Sequence, residues 1–164
     1  MAELGEIASW YYDVCELYED EDINPNDHMK VVERAFMSSD CDDFAWLLHE
    51  VTGHKVIKVT WQDPSWGFGH HSVVRNDEGK FIDVRGETDI DKIRSYFRVK
   101  PTIMLNASET QAQEPTSFDI DMEDSGMKNL VSVMRILPYA PFNTAEFQLK
   151  LADFVRTLER RFAL

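Results

Sequence analysis

The feature that most constrains the fold of this sequence is a tight turn between two alternating segments. The turn is Asn76-Asp77-Glu78-Gly79, and it joins residues 70–75 to residues 80–84. Asparagine at the first position and glycine at the last fit a type I turn followed by a left-handed glycine, which closes a three-residue hairpin with a bulge. This hairpin pairs Asn76 with Lys80 and predicts a small antiparallel sheet.

The register of the hairpin places His71 and Asp83 on one face of the predicted sheet. Diagonal neighbours lie roughly 7–8 Å apart at Cα, so a histidine and a carboxylate there can reach each other through their side chains. A four-residue loop would instead bring His70 to the face of Asp83, because adjacent strand residues point to opposite faces. His71 is therefore the preferred partner of Asp83, and His70 is the reserve.

A cysteine stands at the start of a predicted helix that runs from about Asp40 to Gly53. A free thiol, with a pKa near 8.5, is mostly protonated at neutral pH, so a nucleophilic Cys41 needs a histidine close by. A helix N-terminus favours an anion by about 0.3–1 kcal/mol. Asp40, Asp42 and Asp43 oppose that effect. The pattern therefore predicts activation only if a histidinium is held against the sulfur.

The remaining segments carry mainly helix signals. Apolar residues at helical spacing predict helices at about 3–19, 27–37 and 88–97 and further helices within 127–163. Strands are predicted at 55–61 and 99–105, a Trp-containing loop at 62–69, and a long acidic loop at about 106–126. Helices on either side of a small antiparallel sheet predict an α+β fold. We expect a single domain over residues 1–164, with its core at about 27–105.

Composition and charge restrict the class of function. Thirty acidic residues against 17 basic ones give a net charge of −13, which disfavours nucleic-acid binding and favours a basic partner. The sequence has no apolar run of the roughly 20 residues that a membrane span needs, and its start lacks the features of a signal peptide. Two distant cysteines then predict free thiols. We expect a cytoplasmic protein that binds no membrane.

Two short patterns are similar to metal sites, but one lacks a required residue and the other has the wrong spacing. Asp20-x-Asp22-x-Asn24 is similar to the start of a calcium loop, but Pro25 occupies the place of the turn glycine. His49 and His54 are five residues apart with Gly53 between them, whereas a zinc-protease helix needs a spacing of four. No metal site and no cofactor are predicted.

The motif Asp40-Cys41-x-x-Phe44-Ala45 is followed by a His-led strand and then by Phe81-Ile82-Asp83. Residues 38–86 thereby resemble the papain-like cysteine hydrolase superfamily, especially its NlpC/P60 and bacterial toxin or deamidase-like branches. The resemblance implies a papain-like core in which Cys41 is the nucleophile, His71 the base and Asp83 the orienting carboxylate. It implies a peptidase, deamidase or transglutaminase-like enzyme acting on an amide or isopeptide bond of a protein or peptide.

Other interpretations of the same residues stay open. Cys41 on the apolar face of a helix is also a common core residue, and Asp83 can simply pair with Arg85. Trp61 and Trp66 are candidates for the rim of a substrate groove, although aromatic loop residues also serve packing. The rival function is a non-enzymatic acidic binding protein, such as an immunity protein or a phage-type inhibitor, that covers a basic surface on its partner.

Overall fold

The computed structural model describes residues 3–116, 120 and 125–162. Within these residues six α-helices pack with a five-stranded antiparallel sheet, so the predicted α+β class is confirmed. The helices are α1 (Leu4–Val14), α2 (His28–Met37), α3 (Cys41–Thr52), α4 (Ile90–Tyr96), α5 (Ser125–Ile136) and α6 (Ala145–Phe162), and a short 3₁₀ helix covers Leu17–Glu19. The strands are β1 (Lys55–Asp63), β2 (Gly67–Arg75), β3 (Phe81–Asp83), β4 (Gly86–Thr88) and β5 (Asn106–Thr110), in the spatial order β4-β3-β2-β1-β5.

The hairpin between β2 and β3 has the predicted register. Val74 pairs with Ile82 across the two strands, and the backbone N–H of Asn76 donates to the carbonyl of Lys80 at 2.9 Å. Gly79 has a φ of +82°, a left-handed conformation that glycine adopts without a Cβ clash. The turn residues alone therefore fixed which strand positions share a face.

The sheet separates two apolar clusters. One face packs on the main core and contributes Val74 and Ile82 to it. The opposite face carries Val73, which packs with Ile93 of α4 in a smaller cluster. Because successive strand residues point to opposite faces, the even-numbered residues of β2 face α3 and the odd-numbered ones face α4.

Helix α3 is the central helix of the molecule. Seven of its twelve residues are buried, as expected for a helix surrounded by other elements on most of its circumference. It contacts β2 on one side and α6 on another, and it ends at Gly53 in the left-handed conformation, as predicted. Packing on several sides fixes the first turn, where Cys41 lies.

The fifth strand was predicted in the wrong place. Residues 99–105 contain turns, and the strand lies at Asn106–Thr110, where it pairs with β1 at the edge of the sheet. All five of its residues are exposed, so it lacks the apolar alternation by which strands are recognised. Of the predicted acidic loop at 106–126, residues 111–116 are irregular, and 117–119 and 121–124 lie outside the described residues.

Polar side chains cap the starts of several of the described helices, and the cap of α4 is Asp89. Asp27 caps α2 by accepting from the backbone N–H of Lys30 at 3.3 Å, and Thr144 caps α6 in the same way. The first helix ends at Val14, before Glu16 takes a left-handed backbone conformation. None of the described helices has both the length and the apolar character that crossing a membrane requires.

Candidate functional site

Three reactive side chains meet where the first turn of α3 lies against β2. Cys41 Sγ lies 4.0 Å from His70 Nε2, and Asp42 Oδ2 lies 3.7 Å from the same nitrogen. One ligand atom from each of the three residues lies within 4.8 Å of the others. We refer to Cys41, Asp42 and His70 as the Cys41 cluster.

A hydrogen bond across the helix–strand contact orients the carboxylate of the Cys41 cluster. Ser72 lies two residues beyond His70 on the same face of β2, and its hydroxyl donates to Asp42 Oδ1. The other carboxylate oxygen is thereby left facing His70. The side chains of His70 and Asp42 are 35% and 43% exposed, whereas Cys41 is 1% exposed. The sulfur is therefore covered, and its two neighbours border solvent.

The thiol is held in its protonated form. Burial raises the pKa of Cys41 to about 11, and the charge of Asp42 adds to the rise, while hydrogen bonding by nearby backbone amides, that of Ser72 foremost, lowers it. Burial therefore outweighs the neighbouring aspartates as a cause, and the helix N-terminus does not offset it. The resting sulfur is a neutral thiol near pH 7.

The other two predicted catalytic residues form a separate pair on the opposite face of the sheet. His71 Nε2 lies 3.0 Å from Asp83 Oδ2, and the two side chains are 0% and 2% exposed. The His71 ring lies 5.3 Å from that of Phe97, between centroids, at the end of α4. The structure thus joins His71 to Asp83, as the hairpin register predicted. It joins Cys41 to His70, the reserve histidine.

Asp83 is the centre of a buried ionic network. The backbone N–H of Arg85 donates to Asp83 Oδ1 at 2.8 Å, and the Arg85 guanidinium lies 3.2 Å from Oδ2. Burial alone would raise the pKa of Asp83, but the hydrogen bond and charge of His71, together with Arg85, outweigh it and hold the pKa below its ordinary value. The carboxylate is therefore ionised, and it binds His71 and Arg85 at once.

Of the aromatic residues of the predicted groove, Trp61 lies within β1 and Trp66 lies in the turn that joins β1 to β2. Trp66 is 88% exposed. The Trp61 ring covers Gly69 on the neighbouring strand and lies 5.1 Å from that of Phe97, which places it on the face of His71. The exposed aromatic ring on the face of His70 belongs to Phe68, which is 69% exposed. Sequence reasoning missed Phe68, although its spacing of two from His70 was a usable signal.

Comparisons of the chain with protein-family models, with curated proteins and with solved structures found no match. The class of the protein therefore has to be argued from the site itself. A thiol, an imidazole and a carboxylate within contact distance are compatible with the predicted cysteine hydrolase.

Proposed function

We propose that this protein is a thiol-dependent enzyme that hydrolyses an amide or isopeptide bond, or transfers its acyl group, with Cys41 as the nucleophile. The observation that carries the proposal is the 4.0 Å separation of Cys41 Sγ from His70 Nε2 at the start of a buried helix. A side-chain adjustment of about 1 Å brings such a pair to hydrogen-bond distance. His70 is the base that this geometry supports best.

The reaction would proceed through an acyl-thioester. As Sγ of Cys41 attacks the carbonyl carbon, the thiol proton moves to His70 Nε2, and His70 then gives that proton to the leaving amine. Water releases the acyl group in a hydrolase, and a second amine accepts it in a transferase. The backbone amides of Cys41 and Ser72, which act to lower the pKa of the thiol, are the donors that we assign to the oxyanion.

Asp42 does not take the position that the carboxylate of a catalytic triad takes relative to the histidine. A triad carboxylate binds the ring nitrogen that faces away from the nucleophile, whereas Asp42 lies beside the same nitrogen as the thiol. It therefore competes with Cys41 for His70 in the resting protein. We propose that bound substrate displaces this contact and lets His70 reach the sulfur.

Membership of the papain-like superfamily is part of the same proposal, and it is supported by the Cys41 cluster at the head of α3. The finer assignment to its NlpC/P60 or deamidase-like branches stays a prediction. So does the role of His71 as base with Asp83 as its carboxylate, which requires the thiol to act across the sheet. In our proposal the buried His71–Asp83 pair instead holds β2 in register beneath His70.

The substrate that we propose is a basic protein or peptide. The net charge of −13 favours such a partner over nucleic acid, and the two free thiols fit a reducing, cytosolic compartment. Phe68 and Trp66 offer exposed apolar surface at the end of the strand that carries His70. An apolar side chain next to the scissile bond could pack there.

The proposal is tested by the alkylation of each cysteine separately. Burial raises the pKa of both Cys15 and Cys41 to about 11, so Cys15, which is the more exposed of the two, is a stringent internal comparison. We expect iodoacetamide at pH 7 to label Cys41 at least tenfold faster than Cys15, as followed by mass spectrometry. Among the described residues only Cys41 has an imidazole beside it, and that imidazole can take the proton of the neutral thiol as the sulfur attacks. His70→Ala should remove the difference.

Two outcomes would contradict this assignment. If His71→Ala removes the fast labelling and His70→Ala does not, the base is His71, and the triad inferred from the resemblance replaces the pair proposed above. If Cys41 labels no faster than Cys15 in the native protein, the thiol is a core residue. The second outcome ends the case for a cysteine nucleophile.

A second candidate function follows from the buried thiol. A sulfur that is 1% exposed and has a pKa raised by burial to about 11 is also what a non-catalytic core cysteine shows. In that case the acidic surface is the functional feature, and the protein is a binding or inhibitor protein that covers a basic surface. The dependence on salt separates this candidate from the enzyme, because steered binding between charged surfaces weakens with ionic strength.

A further inference from the structure

We propose that the Cys41 cluster is a binding site for a thiophilic divalent cation, with Zn²⁺ as the best match. Three ligand atoms of three different kinds point to one small volume. Cys41 Sγ lies 4.0 Å from His70 Nε2 and from Asp42 Oδ1, and His70 Nε2 lies 3.7 Å from Asp42 Oδ2. This inference goes beyond the proposed enzyme and holds whether or not Cys41 is catalytic.

The arrangement of the ligand atoms around one nitrogen distinguishes a metal site from a proton relay. In a relay the thiol and the carboxylate bind different nitrogens of the imidazole. In the Cys41 cluster both lie beside Nε2, as they do when all three share a central ion. Zinc bonds of about 2.0–2.3 Å in tetrahedral geometry place neighbouring ligand atoms about 3.5 Å apart. With one carboxylate oxygen as the ligand, the three atoms lie within 4.8 Å of one another, so side-chain rotation has to shorten their separations by about 0.5–1.3 Å.

The surroundings also fit a metal site. The hydroxyl of Ser72 donates to Asp42 Oδ1, which is the kind of contact that orients a ligating carboxylate. Cys41 is fixed in the first turn of a helix packed on several sides. The ligands therefore come from two rigid elements, α3 and β2, so their positions are well defined before an ion arrives.

The ligand set and its exposure define the kind of site. A thiolate and an imidazole favour zinc and disfavour magnesium and calcium, which prefer oxygen ligands. His70 and Asp42 are 35% and 43% exposed, so an ion can enter from solvent past them. With three protein ligands, a fourth position stays open to water or to another molecule, as it does in zinc sites that are not purely structural.

Zinc binding would also affect the proposed chemistry. An ion at this site would bind the thiolate of Cys41, releasing the thiol proton to solvent, and the lone pair of His70 Nε2. These are the two groups assigned to nucleophilic attack and proton transfer. The metal-bound protein would therefore resist alkylation at Cys41 and leave Cys15 unaffected. This inhibition is a consequence of the site and is measured separately from the binding itself.

Cobalt titration of the full chain, stripped of metal by a chelator, tests the site. We expect a near-ultraviolet absorption band from a cobalt–thiolate bond that saturates at one Co²⁺ per chain and is bleached by Zn²⁺. Cys41→Ala should abolish the band, and His70→Ala and Asp42→Ala should each weaken Co²⁺ affinity at least tenfold. Cys15→Ala and the exposed His28→Ala are the matched controls, and both should keep the band and the affinity within about twofold.

The proposal is overturned if the band persists in Cys41→Ala, if it is lost in Cys15→Ala, or if His70→Ala and Asp42→Ala bind Co²⁺ as tightly as the native chain. Far-UV circular dichroism checks the fold of each variant. Should Cys41→Ala fail to fold, the two partly exposed ligand positions decide the outcome. Alkylation of the metal-free protein is scored independently, so a failed metal site leaves the enzyme proposal standing, and the reverse also holds.

Discussion

The two adjacent histidines of β2 lie in different surroundings: His70 borders solvent beside Asp42, and His71 is buried against Asp83. His71 has its Nε2 on Asp83, while its Nδ1 is buried without a hydrogen-bond partner among the described residues. A buried polar atom without a partner costs free energy. Of the two ring nitrogens, Nε2 alone therefore anchors His71 through a hydrogen bond to the described residues.

The Asp83 network makes a prediction about stability and pH. The pKa of Asp83 is lower in the folded protein than in the unfolded chain, through His71 and Arg85 and despite burial. Its contribution to the free energy of unfolding is therefore present above the unfolded pKa, about 3.9, and is lost as the pH falls through the folded pKa. Asp83→Asn should cost about 3 kcal/mol at pH 7. The difference from the native chain should shrink below about pH 4.

Urea unfolding at several pH values measures this difference. Asp77→Asn, an exposed change in the turn of the same hairpin, is the control and should alter the free energy of unfolding at pH 7 by less than about 0.5 kcal/mol. The charge of Glu33 on α2 also influences this network, because Glu33 is coupled electrostatically to Asp83 and Arg85. A cost of Asp83→Asn that is equal at pH 7 and at pH 3 would show that the network contributes through packing alone.

At the scale of elements, the turn that joins β3 to β4 depends on one glycine. Gly86 has a φ of +84°, and a Cβ there would lie 2.8 Å from the Cβ of Tyr139 and 2.9 Å from the carbonyl oxygen of Ala140. The segment between α5 and α6 therefore lies directly on the turn that carries Arg85. Glycine is required at this position both for the backbone conformation and for the close approach.

Replacement of two glycines separates these two requirements. Gly53, at the end of α3, has a similar φ of +75°, but a Cβ there would meet no atom of the described residues within 4 Å. Gly53→Ala should therefore cost only the strain of a left-handed residue, about 1–2 kcal/mol, and Gly86→Ala about 1–3 kcal/mol more. Chemical denaturation of both variants gives the comparison. Equal costs would mean that the loop at Tyr139 moves away freely.

The hairpin could be predicted because it rests on local chemistry. The turn residues determined the strand register, so that Val74 pairs with Ile82. The position of β5 could not be predicted, because its exposed residues carry no pattern and its pairing with β1 is non-local. His70 was the reserve base, and its preference over His71 as the neighbour of Cys41 could not be predicted, since the packing of α3 on one face of the sheet is also non-local.

At the scale of the whole molecule, the excess of acidic residues is the property that any function has to accommodate. Thirty acidic and 17 basic residues give a net charge of −13, so the molecule attracts cations and repels polyanions over distances of about a Debye length. This field would raise the local concentration of a basic peptide at the surface and of a divalent cation at the Cys41 cluster. The same charge is thus consistent with each of the three proposals, namely the enzyme, the metal site and the acidic inhibitor.

A salt titration with two readouts separates the two candidate functions. The probe for binding is a lysine-rich peptide, and the probe for the thiol is uncharged iodoacetamide. Between about 0.05 and 0.5 M NaCl, where the Debye length falls from about 14 to about 4 Å, we expect peptide affinity to fall at least tenfold because the attraction is electrostatic. The alkylation rate of Cys41 should change less than about twofold, since neither the reagent nor the resting thiol is charged.

If the bound peptide slows alkylation at Cys41 but not at Cys15, the acidic surface leads to the site, as a substrate-binding enzyme requires. If the peptide binds without changing the alkylation rate of Cys41, the peptide-binding surface and the thiol lie at separate places. The acidic binding protein is then the better-supported function.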